Sequence, residues 1–245
     1  MKKKELIFNT TMIIEDVKKK IDSIGNMKVI FEPTVYKENR VQKKDLQGVL
    51  EKTQVSLRGW SFPHIPREDR DDGKRPYSIG NGVEFYTSWQ DMVEAFRFYQ
   101  SGQFLAKFAL REDTLGEAYG KKIEAGKYLD FLSLIYKITE IVSFIKNLID
   151  STDIEGGRLT IEFHKIKDRV LEPIFSQNIF SFNAGYICRM DEISITREFD
   201  REKISNDFLE IGREFIKAVF DDFNWRNYSD QMIQTHQENL LNHRI

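Results

Sequence analysis

The sequence predicts an α+β fold class, a mixed or antiparallel sheet packed against amphipathic helices. Three observations predict it. Helical and strand-like patterns segregate along the chain rather than alternating strictly, which disfavours a doubly wound parallel sheet. Residues 128–149 carry a wide apolar stripe at helical spacing, and Phe104–Arg111 alternates with period two. The 245 residues are 40% hydrophobic and 31% charged, enough to bury a sizeable core and unlike a disordered chain.

In chain order, Ile13, Ile14, Val17 and Ile21 mark a short helix over 12–23, stopped by Gly25-Asn26. Val29, Ile30, Phe31, Val35 and Tyr36 suggest a strand over 27–36 interrupted at Pro33. Residues 41–52 read as a second helix and Gln54–Trp60 as a strand. Residues 61–82 hold Pro63, Pro66 and Pro76 with several Asp and Gly, and read as a long polar connection of the functional or mobile kind. Val83–Trp89 restores order. Ser88, with Asp91 three residues on, is expected to cap a helix in which Met92, Ala95, Phe96 and Tyr99 share a face. Ser101-Gly102 ends it, and the Phe104–Arg111 strand follows.

In the helix over 128–149, Phe131, Leu134, Ile135, Ile138, Ile141, Val142, Ile145 and Leu148 form the stripe. After a turn at 153–157, Arg158–Ile166, Asn178–Arg189 and Glu192–Glu198 are strand-like. Asp200–Asp222 returns to helix with Phe208, Ile211, Phe215 and Val219 inward, and 229–243 is a final polar helix. A seam is placed near residue 125, dividing an α+β region 1–125 from a helix-strand-helix region 126–245, with a single domain as the alternative.

The 37 basic and 39 acidic residues leave a net charge of -2, so no global field favours nucleic acid or membrane. Residues 1–60 hold 13 Lys+Arg against 8 Asp+Glu, and residues 191–245 hold 7 against 12. Two oppositely signed faces follow, suited to each other or to a partner; the bland alternative is ordinary solvated charge. The Lys2–Lys4 lead is followed by only Leu6, Ile7 and Phe8, too few for a secretory core. No apolar run approaches the ~18 residues of a spanning helix. With one thiol, Cys188, a cytoplasmic location without membrane association is expected.

Motifs that carry chemistry fail on spacing. Gly80-Asn81-Gly82 has Phe85 where a dinucleotide loop needs glycine. Gly116…Gly120-Lys121 is one residue short of a phosphate loop, with Lys122 in place of Ser or Thr. Asp69–Gly73 has its glycine one position early for a calcium loop. His64, His164, His236 and His243 form no zinc pattern, and no cofactor is implied. A metal-dependent phosphodiesterase would need carboxylates such as Glu162, Asp200 and Glu202 to converge.

Residues 56–112 stand out. Arg58, His64, Arg97 and Arg111 are the candidates for a cationic pocket beside Trp60 and Trp89, suited to a phosphate, a carboxylate or a flat base. The competing reading keeps Trp60 and Phe62 in the core, Arg58 at a strand edge, and Glu94–Arg97 as a helix-surface pair. Leu57-Arg58-Gly59-Trp60, Phe62-Pro63-His64-Ile65 and Phe98–Phe104 resemble segments of uncharacterised bacterial proteins associated with Schlafen/AlbA-type nucleic-acid-binding domains. The resemblance covers about 55–113 and brings no catalytic motif. It implies a bacterial origin and a nucleic-acid or defence context. It implies no activity. The absence of every tested catalytic motif, the 13% aromatic content and the opposed charges of the two ends make the expected function a non-catalytic macromolecule-binding subunit of a bacterial complex, with a protein partner or second copy. A nucleic-acid-binding protein and a metal-dependent nuclease are the alternatives.

Overall fold

The computed structural model describes residues 15–66, 74–175 and 185–244. The Asp69–Gly73 loop and most of the expected 178–189 strand lie outside them. Alternating side chains build one seven-stranded antiparallel sheet. Its order is β12 (Glu192–Asp200), β9 (Gly156–His164), β1 (Asn26–Pro33), β5 (Phe104–Ala109), β4 (Met92–Tyr99), β3 (Gly82–Trp89) and β2 (Lys74–Ile79). Strands from both sides of residue 125 join in it: Val29 of β1 pairs with Ala106 of β5 on one side and with Ile161 of β9 on the other. Short strands complete the set: β6 (Glu117–Ala118) with β7 (Lys121–Lys122), and β8 (Tyr128–Asp130), β10 (Val170–Glu172) and β11 (Tyr186–Ile187) in a small mixed sheet.

One sheet face is the core. Met27, Val29, Phe31, Phe85, Phe96, Phe98, Phe104, Leu159, Ile161 and Phe163 lie there, all essentially inaccessible. Against them lies α3 (Phe131–Asp150), whose stripe is buried as its spacing predicts. It is flanked by α2 (Leu46–Thr53), α4 (Arg201–Asp222) and α5 (Asp230–Leu241). Phe62 stands edge-on to Phe96, Phe104, Phe108 and Phe144 at 5.6–6.2 Å, the preferred aromatic geometry. The other sheet face is partly covered by α1 (described over 15–23), whose Val17 and Ile21 pack on Tyr86, Val93, Ala95 and Ala109. Among the described residues no helix is long and apolar enough to cross a membrane.

Three sequence expectations change. Residues 92–99 are a strand, not a helix: β3 and β4 form a tight hairpin in which Trp89 pairs with Met92 and Gln90 has φ 51°. The reason is double coverage. The core lies on one face of β4 and α1 on the other, so Val93, Ala95, Phe96 and Phe98 are all apolar and buried. A near-continuous apolar run contains a helical spacing by coincidence. Residues 54–60 are not a strand either; one bridge, Val55 to Phe62, holds an irregular loop in which Gly59 has φ 80°. Part of the long 61–82 connection is β2, which pairs with β3.

Candidate functional site

The site begins with the cap of α3. Asp130 Oδ1 accepts from the Ser133 backbone N–H at 2.6 Å, the side chain satisfying a first-turn donor. Its Oδ2 accepts from the Phe175 N–H at 2.9 Å. Burial pushes the Asp130 carboxyl above the usual carboxylate range. The cap sets the rotation of α3, so Ser133, Tyr136, Lys137 and Glu140 form a polar stripe beside its apolar one.

Arg58 crosses from its loop to this stripe. Its Nε and Nη2 donate to the two carboxylate oxygens of Glu140 at 2.9 and 2.8 Å, a forked pair on a fully buried acid. Its guanidinium lies 5.3 Å from the Tyr136 ring centre. Lys137 Nζ is 3.6 Å from Glu140 and sits over the Phe62 and Phe108 rings. Arg111, from the turn after β5, donates through Nε and Nη2 to Asp91 Oδ2, each at 2.7 Å, and stands over the Phe175 ring. Both arginines border a cavity of about 550 Å³, which Ser133, Tyr136 and Phe175 also line, with Tyr119 among its exposed lining. Tyr136 Oη is 3.4 Å from His236 Nδ1, and burial holds that imidazole below its ordinary pKa.

Beside the cavity is a ring stack. His64 lies 3.9 Å from Trp60, and Trp60 lies 5.9 Å from Trp89 with only 3° between their planes. Trp60 Nε1 donates to Glu94 Oε2 at 3.2 Å. Glu94 sits on the core face of β4, where burial raises its carboxyl pKa against the opposing pull of Lys137 and the Trp60 bond. Trp89, at the outer end, is 43% exposed.

Five of the six candidate residues therefore gather at one end of the sheet: Arg58 and Arg111 line the cavity, and Trp60, His64 and Trp89 make the stack. Arg97 does not join them. In a strand, residues three apart point to opposite faces, so Arg97 lies across the sheet from Glu94 and pairs with Glu84, its cross-strand neighbour. Lys18 of α1 meets the same carboxylate at 3.2 Å.

Below the cavity lies a sealed polar knot. Asp113 receives Arg169 Nη1 and Nη2 at 2.8 and 2.5 Å, and also the N–H groups of Gly25 and Gly126 at 2.7 and 2.8 Å. Arg169 also donates to the carbonyls of Lys165 and Tyr128. Gly25 is required there, because a Cβ would stand 2.1 Å from Arg169 Nη2. Next to the knot, Glu112 Oε1 accepts from the Asp130 N–H at 2.7 Å, and burial pushes its carboxyl up to about 7.

Sequence reasoning missed Asp130, Tyr136, Glu140, Phe175 and the knot. A signal existed for Glu140: it recurs with Ser133 and Tyr136 or Lys137 at helical spacing, next to the apolar stripe. Glu162, Asp200 and Glu202 do not converge. Glu162 pairs with Ser194 while Asp200 pairs with Gly156, six positions along β9 and so ~20 Å apart. Among the described residues no group of three His, Cys, Asp or Glu side chains gathers to hold a metal ion. No family model, curated protein or solved structure matches the chain.

Proposed function

We propose that this chain is a non-catalytic binding protein that recognises an anionic group, a phosphate or carboxylate, on a partner molecule at the head of α3. One observation carries the proposal: Arg58 and Arg111, from separate loops, border the same cavity, each held from behind by a carboxylate. Glu140 engages Nε and Nη2 of Arg58, and Asp91 engages Nε and Nη2 of Arg111. Among the described residues no further acceptor engages either guanidinium fork, and its orientation is set before binding. Aromatic rings beside both arginines exclude water on one side. The acids around the cavity are committed to holding structure. Asp130 caps α3, Glu112 accepts the Asp130 N–H, and Glu140 and Asp91 grip arginines. That arrangement favours binding over turnover.

Thermal unfolding in the presence of phosphate, citrate, and acidic or phosphorylated peptides tests this reading. An anion at about 100 Kd should raise Tm by roughly 5–10 °C through mass action. Arg58→Gln and Arg111→Gln should each reduce the rise. If both variants respond to every anion as the unaltered chain does, the cavity is not the binding site.

A further inference from the structure

The cavity and the ring stack are built on the same two short pieces of chain. Arg58 borders the cavity and Trp60, two residues on, stacks; Asp91 grips Arg111 of the cavity and Trp89, two residues back, ends the stack. Two residues span at most ~7 Å of backbone. Anion-holding groups and an exposed flat ring thus lie side by side on a rigid frame. The stack is held from below by the Trp60 bond to buried Glu94, and it leaves Trp89, the largest exposed aromatic side chain at this end, 43% accessible. An isolated exposed tryptophan needs no explanation. One held parallel to a second indole beside two anchored arginines does.

Resting on the anionic-group reading above, we infer that the ligand is a nucleotide, its phosphate between Arg58 and Arg111 and its base stacked on Trp89. Two guanidinium forks that border one cavity from separate segments of the chain suit a tetrahedral anion with three free oxygens better than a planar carboxylate, which one fork satisfies. A base adds to an indole platform without needing a particular hydrogen-bond pattern, and such stacking is sequence-tolerant. The same phosphate–base unit is presented by a free mononucleotide and by the 5′ end of a single strand.

Calorimetric titration of the full chain at low salt, with tryptophan fluorescence as a second readout, separates the two ideas. The probes are inorganic phosphate, ribose 5-phosphate, adenosine 5′-monophosphate, and a short single strand with a 5′-phosphate or a 5′-hydroxyl. The expected result is adenosine monophosphate binding roughly 5- to 150-fold tighter than ribose 5-phosphate, the range for one stacked base. Trp89→Ala, and Trp89→Leu as a bulkier apolar replacement, should erase that difference and leave ribose 5-phosphate affinity unchanged. Arg58→Gln should weaken every phosphate-bearing probe. A phosphorylated strand that binds tighter than the mononucleotide identifies a nucleic-acid end as the source; equal or weaker binding identifies the free nucleotide. If both phosphates bind but the base adds nothing, the nucleotide inference is overturned and the anionic-group reading stands. If no probe binds, the nucleotide inference is overturned, and the anionic-group reading stands or falls on the citrate and acidic-peptide arms of the unfolding test.

Discussion

At the turn spanning Arg111–Asp113, Arg111 reaches outward to Asp91 and Asp113 reaches inward to Arg169. The outward pair is 40% and 12% exposed, the inward pair 1% and 2%. Both are forked arginine–aspartate contacts of similar length, yet their surroundings differ. Asp113 accepts four hydrogen bonds, two from Arg169 and one each from Gly25 and Gly126. The knot therefore ties β1, the 111–113 turn, the loop before β8 and the 165–169 segment, and it has no capacity left for a ligand. Arg111 spends one edge of its fork on Asp91, and cavity lies beside it. The lesson is that saturation, not the pairing of charges, separates a fastener from a recognition group. A buried pair is costly to break because one partner is left charged without solvent, whereas an exposed pair contributes little.

Three measurements test this contrast. Arg169→Leu has the largest expected effect: it strands Asp113 in the interior and should cost about 3–5 kcal/mol in urea unfolding. A loss under about 1 kcal/mol would mean the knot is not a fastener.

The second concerns pH. Glu112 has a folded pKa of about 7 against an ordinary 4.5 because burial disfavours its charged form. Raised folded pKa values favour the protonated native state. The stabilisation that protonated Glu112 contributes should thus be full below the ordinary carboxylate range and be lost as pH climbs through about 7. The loss from Glu112 is up to about 3 kcal/mol. Buried Glu94 and Asp130 shift in the same direction. Glu112→Gln keeps an oxygen for the Asp130 N–H and should flatten the difference between urea midpoints at pH 5 and pH 8. An unchanged slope would show that Glu112 is not the titrating group.

The smallest effect is expected from Arg111→Gln, about 1 kcal/mol of stability, since Arg111 is 40% exposed while Asp91 is 12% exposed, a pair far less enclosed than that of Arg169. If it destabilised the chain as much as Arg169→Leu, Arg111 would be a structural tie, and its place in the binding proposal would be lost.

Much of the architecture could be read from residue spacing. The stripe of α3, the inward positions of α4 and the alternation of β5 each have one covered face and one freer face, so a single period shows through. The site was legible in part. Arg58, Trp60, His64, Trp89 and Arg111 were singled out as unusual residue types in one stretch, and they do gather. Arg97 was misplaced because the hairpin was read as a helix, a choice that decides whether positions three apart share a face.

The amino-acid order alone was enough wherever an element buries one side, since hydrophobic burial then writes its period directly into the pattern. It was not enough for β4, covered on both faces, where near-continuous apolar character blurs the period. Nor could it show that Asp113 meets Arg169, 56 positions away, or that Glu140 meets Arg58 across 82. Those partners are chosen by how the sheet and α3 close on each other, because a buried charge takes whichever complementary group the packing brings within reach.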